Sequence, residues 1–165
     1  MARVPILSLI VVMLVVGGCD GPQRTSRLEK ENAELKAQLN EKNVTRNYDL
    51  QTRCSKDARV WFNQNYSRDK DTMMLDFSNH YNSASNQCLI FIEYHFSNRS
   101  GRSWLNNMSL YNVYENARYG NYLEEHVIGF DHDDPTDKLI TCEMFDAKCT
   151  SLDQFNKFVQ PYMNN

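Results

Sequence analysis

The stretch that decides the fold runs from Thr72 to Phe96: Thr72-Met-Met-Leu-Asp-Phe-Ser-Asn-His-Tyr81, then Asn82-Ser-Ala-Ser-Asn-Gln87, then Cys88-Leu-Ile-Phe-Ile-Glu-Tyr-His-Phe96. In the first segment Met73, Leu75, Phe77 and Tyr81 share one parity, while Thr72, Met74, Asp76, Ser78 and His80 share the other. In the last, Cys88, Ile90, Ile92, Tyr94 and Phe96 share a parity. Successive side chains of a strand point to opposite faces, so both segments read as strands with one buried face. The polar stretch between them reads as a turn. Closing this hairpin sets Phe77 opposite Ile92 and Leu75 opposite Tyr94, and such cross-strand pairs are the unit of sheet stability. A slip of one residue would turn both apolar sets to water, so the register is strongly specified.

Further strands follow at Met108–Tyr114, Tyr119–His126 and Leu139–Phe145, the first two joined by a turn over Glu115–Arg118. Upstream, Leu50, Cys54, Ala58, Trp61 and Phe62 recur at helical spacing and form one apolar stripe. At the other end, Ser151-Leu-Asp-Gln154 has the form of a capping box, and Leu152, Phe155, Phe158 and Val159 line one face of the helix it opens. Pro161 is expected to end that helix. The expected fold is α+β: an antiparallel sheet of about five strands, with N- and C-terminal helices packed together on one face.

Every Tyr, Phe and Trp lies beyond residue 47, so the residues before it cannot easily bury a core of their own. The globular domain is therefore expected over residues 48–165. Ahead of it, Leu28, Asn32, Leu35 and Leu39 are spaced 4, 3 and 4 residues apart, the seam of a heptad repeat. Ser26 and Glu29 form a capping box at its start. Residues 26–47 thus read as a coiled-coil stalk, and Asn32 at an a position favours a parallel, in-register homodimer. Barely two heptads are present, so a lone solvated helical spacer stays equally open.

The chain opens with Arg3, an apolar run from Val4 to Val16, and then Gly17-Gly18-Cys19. The run is shorter than the roughly 20 apolar residues a membrane-spanning helix needs, and it has the plan of a secretory signal. Val16-Gly17-Gly18-Cys19 resembles the lipobox of bacterial lipoproteins. That resemblance implies a signal peptide over residues 1–18, cleavage before Cys19, and lipidation of the Cys19 thiol, which then carries two or three acyl chains such as palmitate. Residues 19–25 would then be a lipid-anchored linker. Two chains anchor stably where one does not, since each buried methylene is worth about 0.8 kcal/mol. The implied address is the bacterial cell envelope, facing the periplasm or the outside. Asp20 resembles the signal that retains such proteins at the inner membrane.

The other four cysteines are Cys54, Cys88, Cys142 and Cys149. An even number in an exported chain reads as two disulfides, with three possible pairings. Cys54–Cys88 with Cys142–Cys149 is favoured: the first would clamp the helix to a core strand, the second would close a tight bend. A zinc site is disfavoured, because no Cys-x-x-Cys occurs and no His stands at ligand spacing from a cysteine. The globule also resembles a group of uncharacterised exported bacterial proteins. The carrying residues are Cys54 with Phe62, Asn79 to Asn82, Asn86 to Cys88, Tyr111 to Glu115, Cys142, Cys149 and Phe155 to Met163. That resemblance implies a shared fold and disulfide set and carries no activity.

Net charge over the whole chain is −3; Arg3 is the only charge in residues 1–18, so the remainder carries −4. Such a balance leaves no basic footprint for nucleic acid. Three groups are candidates for chemistry or binding. His80 shares a strand face with Ser78 and Asp76, which suggests a hydrolase. Alternate strand residues sit about 6.5 Å apart, however, and a nucleophile must meet its base at about 3 Å. A histidine bonded to the Asn82–Gln87 turn is the stronger reading. Asp131, Asp133, Asp134 and Asp137 could offer oxygen ligands to calcium, but the loop lacks the central Gly and closing Glu of a calcium loop. A solvated acidic turn is the stronger reading there, and Glu124, Glu125 and His126 read as exposed strand-end charge. Tyr111, Tyr114, Tyr119 and Tyr122 flank one hairpin and could form a binding surface, against the plainer reading that their rings pack on neighbouring strands. No cofactor is expected. The sequence therefore points to a membrane-anchored envelope lipoprotein acting as a binding or interaction module for a protein or envelope ligand. A periplasmic hydrolase centred on His80 is the alternative.

Overall fold

The computed structural model describes residues 21–97, 102–127 and 136–164. The signal segment, Cys19, Asp20, Asp131, Asp133 and Asp134 lie outside the described residues. The elements are α1 (Gly21–Asn65), β1 (Thr72–Asn82), β2 (Gln87–Ser97), β3 (Ser103–Asn112), β4 (Ala117–Val127), β5 (Thr136–Met144), β6 (Ala147–Lys148) and α2 (Leu152–Met163). The chain divides into two compact units, residues 1–42 and 43–165. No described helix is long and apolar enough to cross a membrane.

The second unit is α+β, as expected, built on an open antiparallel sheet with strand order β1-β2-β3-β4-β5-β6. The sixth strand is a two-residue addition beyond the expected five. Phe77 stands opposite Ile92 and Leu75 opposite Tyr94. Met73 departs from the alternation: the register shifts between Thr72 and Met74, which leaves Met73 exposed. Both long hairpins turn by the same device. Asn82 Oδ1 accepts from the N–H groups of Ala84 and Ser85, and Asn112 Oδ1 accepts from those of Tyr114 and Glu115. Four residues on from each, Asn86 and Asn116 take the left-handed conformation that asparagine tolerates (φ 57° and 51°).

The two helices pack on opposite faces of the sheet, not on one. Cys54, Ala58 and Trp61 of α1 join Leu75, Tyr81, Cys88, Ile90 and Ile92 in one core. Phe155 and Val159 of α2 join Leu89, Leu110, Tyr122, Cys142 and Met144 in another. The physical reason lies in β2, which is apolar on both parities. Leu89 and Ile90 are both fully buried, so each face needs its own cover. Gly120 lets α2 approach closely, since a Cβ there would lie 2.6 Å from Met144 Sδ and 3.2 Å from the Phe155 ring. Pro161 does not end α2 but sits inside its last turn. A proline so near the terminus removes few intrahelical bonds, and Ser151 caps the start by accepting from the Gln154 N–H.

Cys54 and Cys88 form a disulfide with Cα atoms 5.3 Å apart, and Cys142 and Cys149 form another at 5.0 Å. The outer edge of β1 is partly blocked by side chains. Gln51 Oε1 accepts from the Tyr81 N–H, Arg68 Nη2 donates to the Leu75 carbonyl, and Asp76 Oδ1 accepts from the Phe77 N–H. Such blocking discourages edge-to-edge pairing.

In the first unit α1 continues as helix through the seam residues. Leu28, Leu35 and Leu39 are 49%, 62% and 61% exposed, and Asn32 is exposed too. Among the described residues the stripe has no cover from its own chain.

Candidate functional site

The sequence candidates do not gather into one site. His80 lies on the α2 side of β1, and its Nε2 is buried without a partner. It bonds neither the Asn82–Gln87 turn nor a carboxylate among the described residues, so a hydrolase gains no geometry from it. Burial holds the His80 imidazole below its ordinary value near 6.5. The unfolded chain then binds a proton more readily than the native one, so the contribution of His80 to stability falls as pH drops through that ordinary value. His80→Gln is expected to narrow the stability loss between pH 7.5 and pH 5.5, read by urea unfolding at both. An unchanged loss would contradict it.

The four tyrosines separate. Tyr122 is buried in the α2 core. Tyr111 packs against Trp61 on the opposite face, with ring centroids 4.9 Å apart. Tyr119 is half-buried; its hydroxyl accepts from Gln87 Nε2 and Asn112 Nδ2 and donates to Glu115. Tyr114 is exposed and donates to Asp57. They form no common surface. Among the described residues no group of three His, Cys, Asp or Glu side chains is placed to hold a metal ion.

A different constellation does form, on the half of the α2-side face that the helix leaves uncovered. Register sets Ser97, Trp104, His126 and Asp137 in one cross-strand row, and His95, Asn106, Glu124 and Leu139 in the next. The His126 ring stacks on Trp104 with centroids 3.7 Å apart and planes 12° apart. His95 stands on the other side of that indole at 6.1 Å. His126 Nδ1 lies 2.6 Å from Asp137 Oδ1, and His126 Nε2 lies 3.3 Å from Glu124 Oε2. The second contact is not a hydrogen bond: Nε2 is buried and unpartnered, as are His95 Nε2 and Asn106 Oδ1. Asn106 as a whole is only 7% exposed.

Among the described strand positions of this half-face the charges have one sign. Asp76, Glu93, Glu124 and Asp137 lie on it, and no Lys or Arg occupies a strand position there. Burial pushes the Tyr122 phenol well up, and the neighbouring carboxylates of Glu124 and Asp137 add to the shift. Asp137 accepts from Nδ1–H, and the Nε2 of His126, the Glu124 carboxylate and the Asn106 amide oxygen lie on the same side of the ring without hydrogen bonding one another. Such a set calls for a cation or a donor.

Sequence reasoning grouped Glu124, Glu125 and His126 as exposed strand-end charge. The strand splits them: Glu124 and His126 share the buried face, while Glu125 accepts from Ser103 Oγ at 2.9 Å on the other. Parity alone held that signal. His95, Trp104 and Asn106 were passed over because only the sheet brings them beside His126. No family model, curated protein or solved structure matches the chain.

Proposed function

We propose that this protein is a lipid-anchored binding module of the bacterial cell envelope, without catalysis of its own. The observation that carries the reading is the apolar run closed by Val16-Gly17-Gly18-Cys19. Two disulfides favour an oxidising compartment, the periplasm or the cell exterior. Lipid on Cys19 tethers the chain to the membrane, with Asp20 favouring the inner one. The exposed Leu28–Leu39 stripe pairs two stalks in parallel, and confinement on a membrane raises the local concentration that such a short coil requires. The uncovered acidic half-face of the sheet is the binding surface.

Intact mass measurement of the native protein tests the anchor. The mature chain is expected to begin at Cys19, carry fatty acyl mass and sediment with membranes, while Cys19→Ser carries no acyl mass and leaves the membrane fraction. A native chain that begins at Met1, or one without acyl mass, would overturn the reading.

A further inference from the structure

We propose that His126 and Glu124, with Asn106 directly across from Glu124, form a binding site for a divalent transition-metal ion of zinc-like ligand preference. The inference deepens the binding-module reading by naming its ligand class, and it does not depend on the anchor. Four observations carry it. First, the His126 ring is fixed before any ligand arrives: Trp104 stacks on its face and Asp137 takes its Nδ1–H at 2.6 Å. A ligating histidine almost always gives its other ring N–H to a carboxylate, carbonyl or water, which sets the tautomer and leaves Nε2 free to bind.

Second, Nε2 and Glu124 Oε2 approach to 3.3 Å without hydrogen bonding. Two ligand atoms on a tetrahedral ion, each bonded at about 2.0–2.1 Å, stand about 3.3 Å apart. Two acceptors sharing one ammonium at about 2.9 Å would stand about 4.7 Å apart instead. The spacing matches a metal ion better than an organic cation. Third, Asn106 stands directly across from Glu124, more than nine-tenths buried, and its Oδ1 has no partner. A buried amide oxygen left unpaired is costly unless something meets it. Fourth, the four carboxylates and the absence of Lys and Arg from the strand positions of this half-face make it attractive to a cation.

Two fixed side-chain donors and an amide oxygen leave coordination positions for water or an outside ligand. An imidazole with a carboxylate suits zinc and its first-row neighbours better than calcium or magnesium, which take oxygen alone.

Titration calorimetry of zinc into the tag-free, chelator-washed full chain in detergent tests this. One zinc per chain is expected. His126→Ala and Glu124→Gln are each expected to weaken it at least about tenfold, and Asp137→Asn, which acts by positioning His126, about 10–100-fold. The half-exposed Asp137 can be changed without harm to the fold, so its metal-free melting temperature should not move. A nitrogen-15 histidine spectrum should show the His126 Nε2 resonance shifting on zinc addition. His132→Ala, in the β4–β5 connection outside the described residues, should bind as wild type. No saturable binding, binding undiminished in Glu124→Gln and Asp137→Asn, or binding lost only in His132→Ala would overturn the proposal. The anchor is read by acyl mass, so failure of either leaves the other standing.

Discussion

Phe155→Ala is expected to lower the stability of the globular unit by about 3–5 kcal/mol, the range for truncating a buried aromatic ring. Phe155 is fully buried. Its ring packs 5.8 Å from Tyr122 of β4 and 6.4 Å from Phe91 of β2, over the gap left by Gly120. The helix around it has only 12 residues, too few to hold helical form in water by itself. Its order therefore comes from this contact and from Val159 one turn on. Removing the ring leaves a cavity against the sheet and loosens the whole cover of that face. Urea unfolding followed by tryptophan fluorescence measures the change. A loss below about 1 kcal/mol would mean that α2 is not held by this ring.

Replacing Cys54 and Cys88 together by alanine is expected to cost about 4 kcal/mol, against about 2.4 kcal/mol for Cys142 and Cys149, on the loop-closure relation. The two bridges close separations of 34 and 7 residues, and the longer loop restricts the unfolded chain more. Cys54 and Cys88 are also fully buried beneath α1, so their loss removes packing from the core under that helix. The measurement is unfolding of the two double variants side by side. A reversed ranking would contradict the loop-closure account of these bridges.

Much of the fold was legible because strand alternation is a local property. The pairing of Phe77 with Ile92 follows from parity and turn length, and the structure has that register. Four cysteines allowed three pairings, and a helix-to-strand clamp with a tight bend singled out the set that forms. The placement of the helices was not legible in the same way. The second apolar parity of β2, Leu89 and Phe91, was present in the sequence, yet a strand reading that assigns one buried face overlooks it. Met73 was misplaced because a bulge is a property of two strands together.

The candidate site was less legible still. His95, Asn106, His126 and Asp137 come from four strands, and nothing in their spacing announces that they meet. His80, by contrast, stood next to a serine and an aspartate in alternation and drew attention, but neighbours two apart on a strand do not touch.

What the sequence by itself determined is set by short-range chemistry: the alternation of two strands, the apolar stripe of each helix, and the cysteine pairs. Each rests on residues a few positions apart, whose periodicity alone says which face they take. What only the tertiary structure decided is which faces meet. It placed α1 and α2 on opposite sides of one sheet, with α2 over only part of its face. On the rest of that face it stacked an imidazole on an indole between two carboxylates. Those contacts join strands far apart in the chain, and the free energy that fixes them lies in burial across the sheet, not along any one strand.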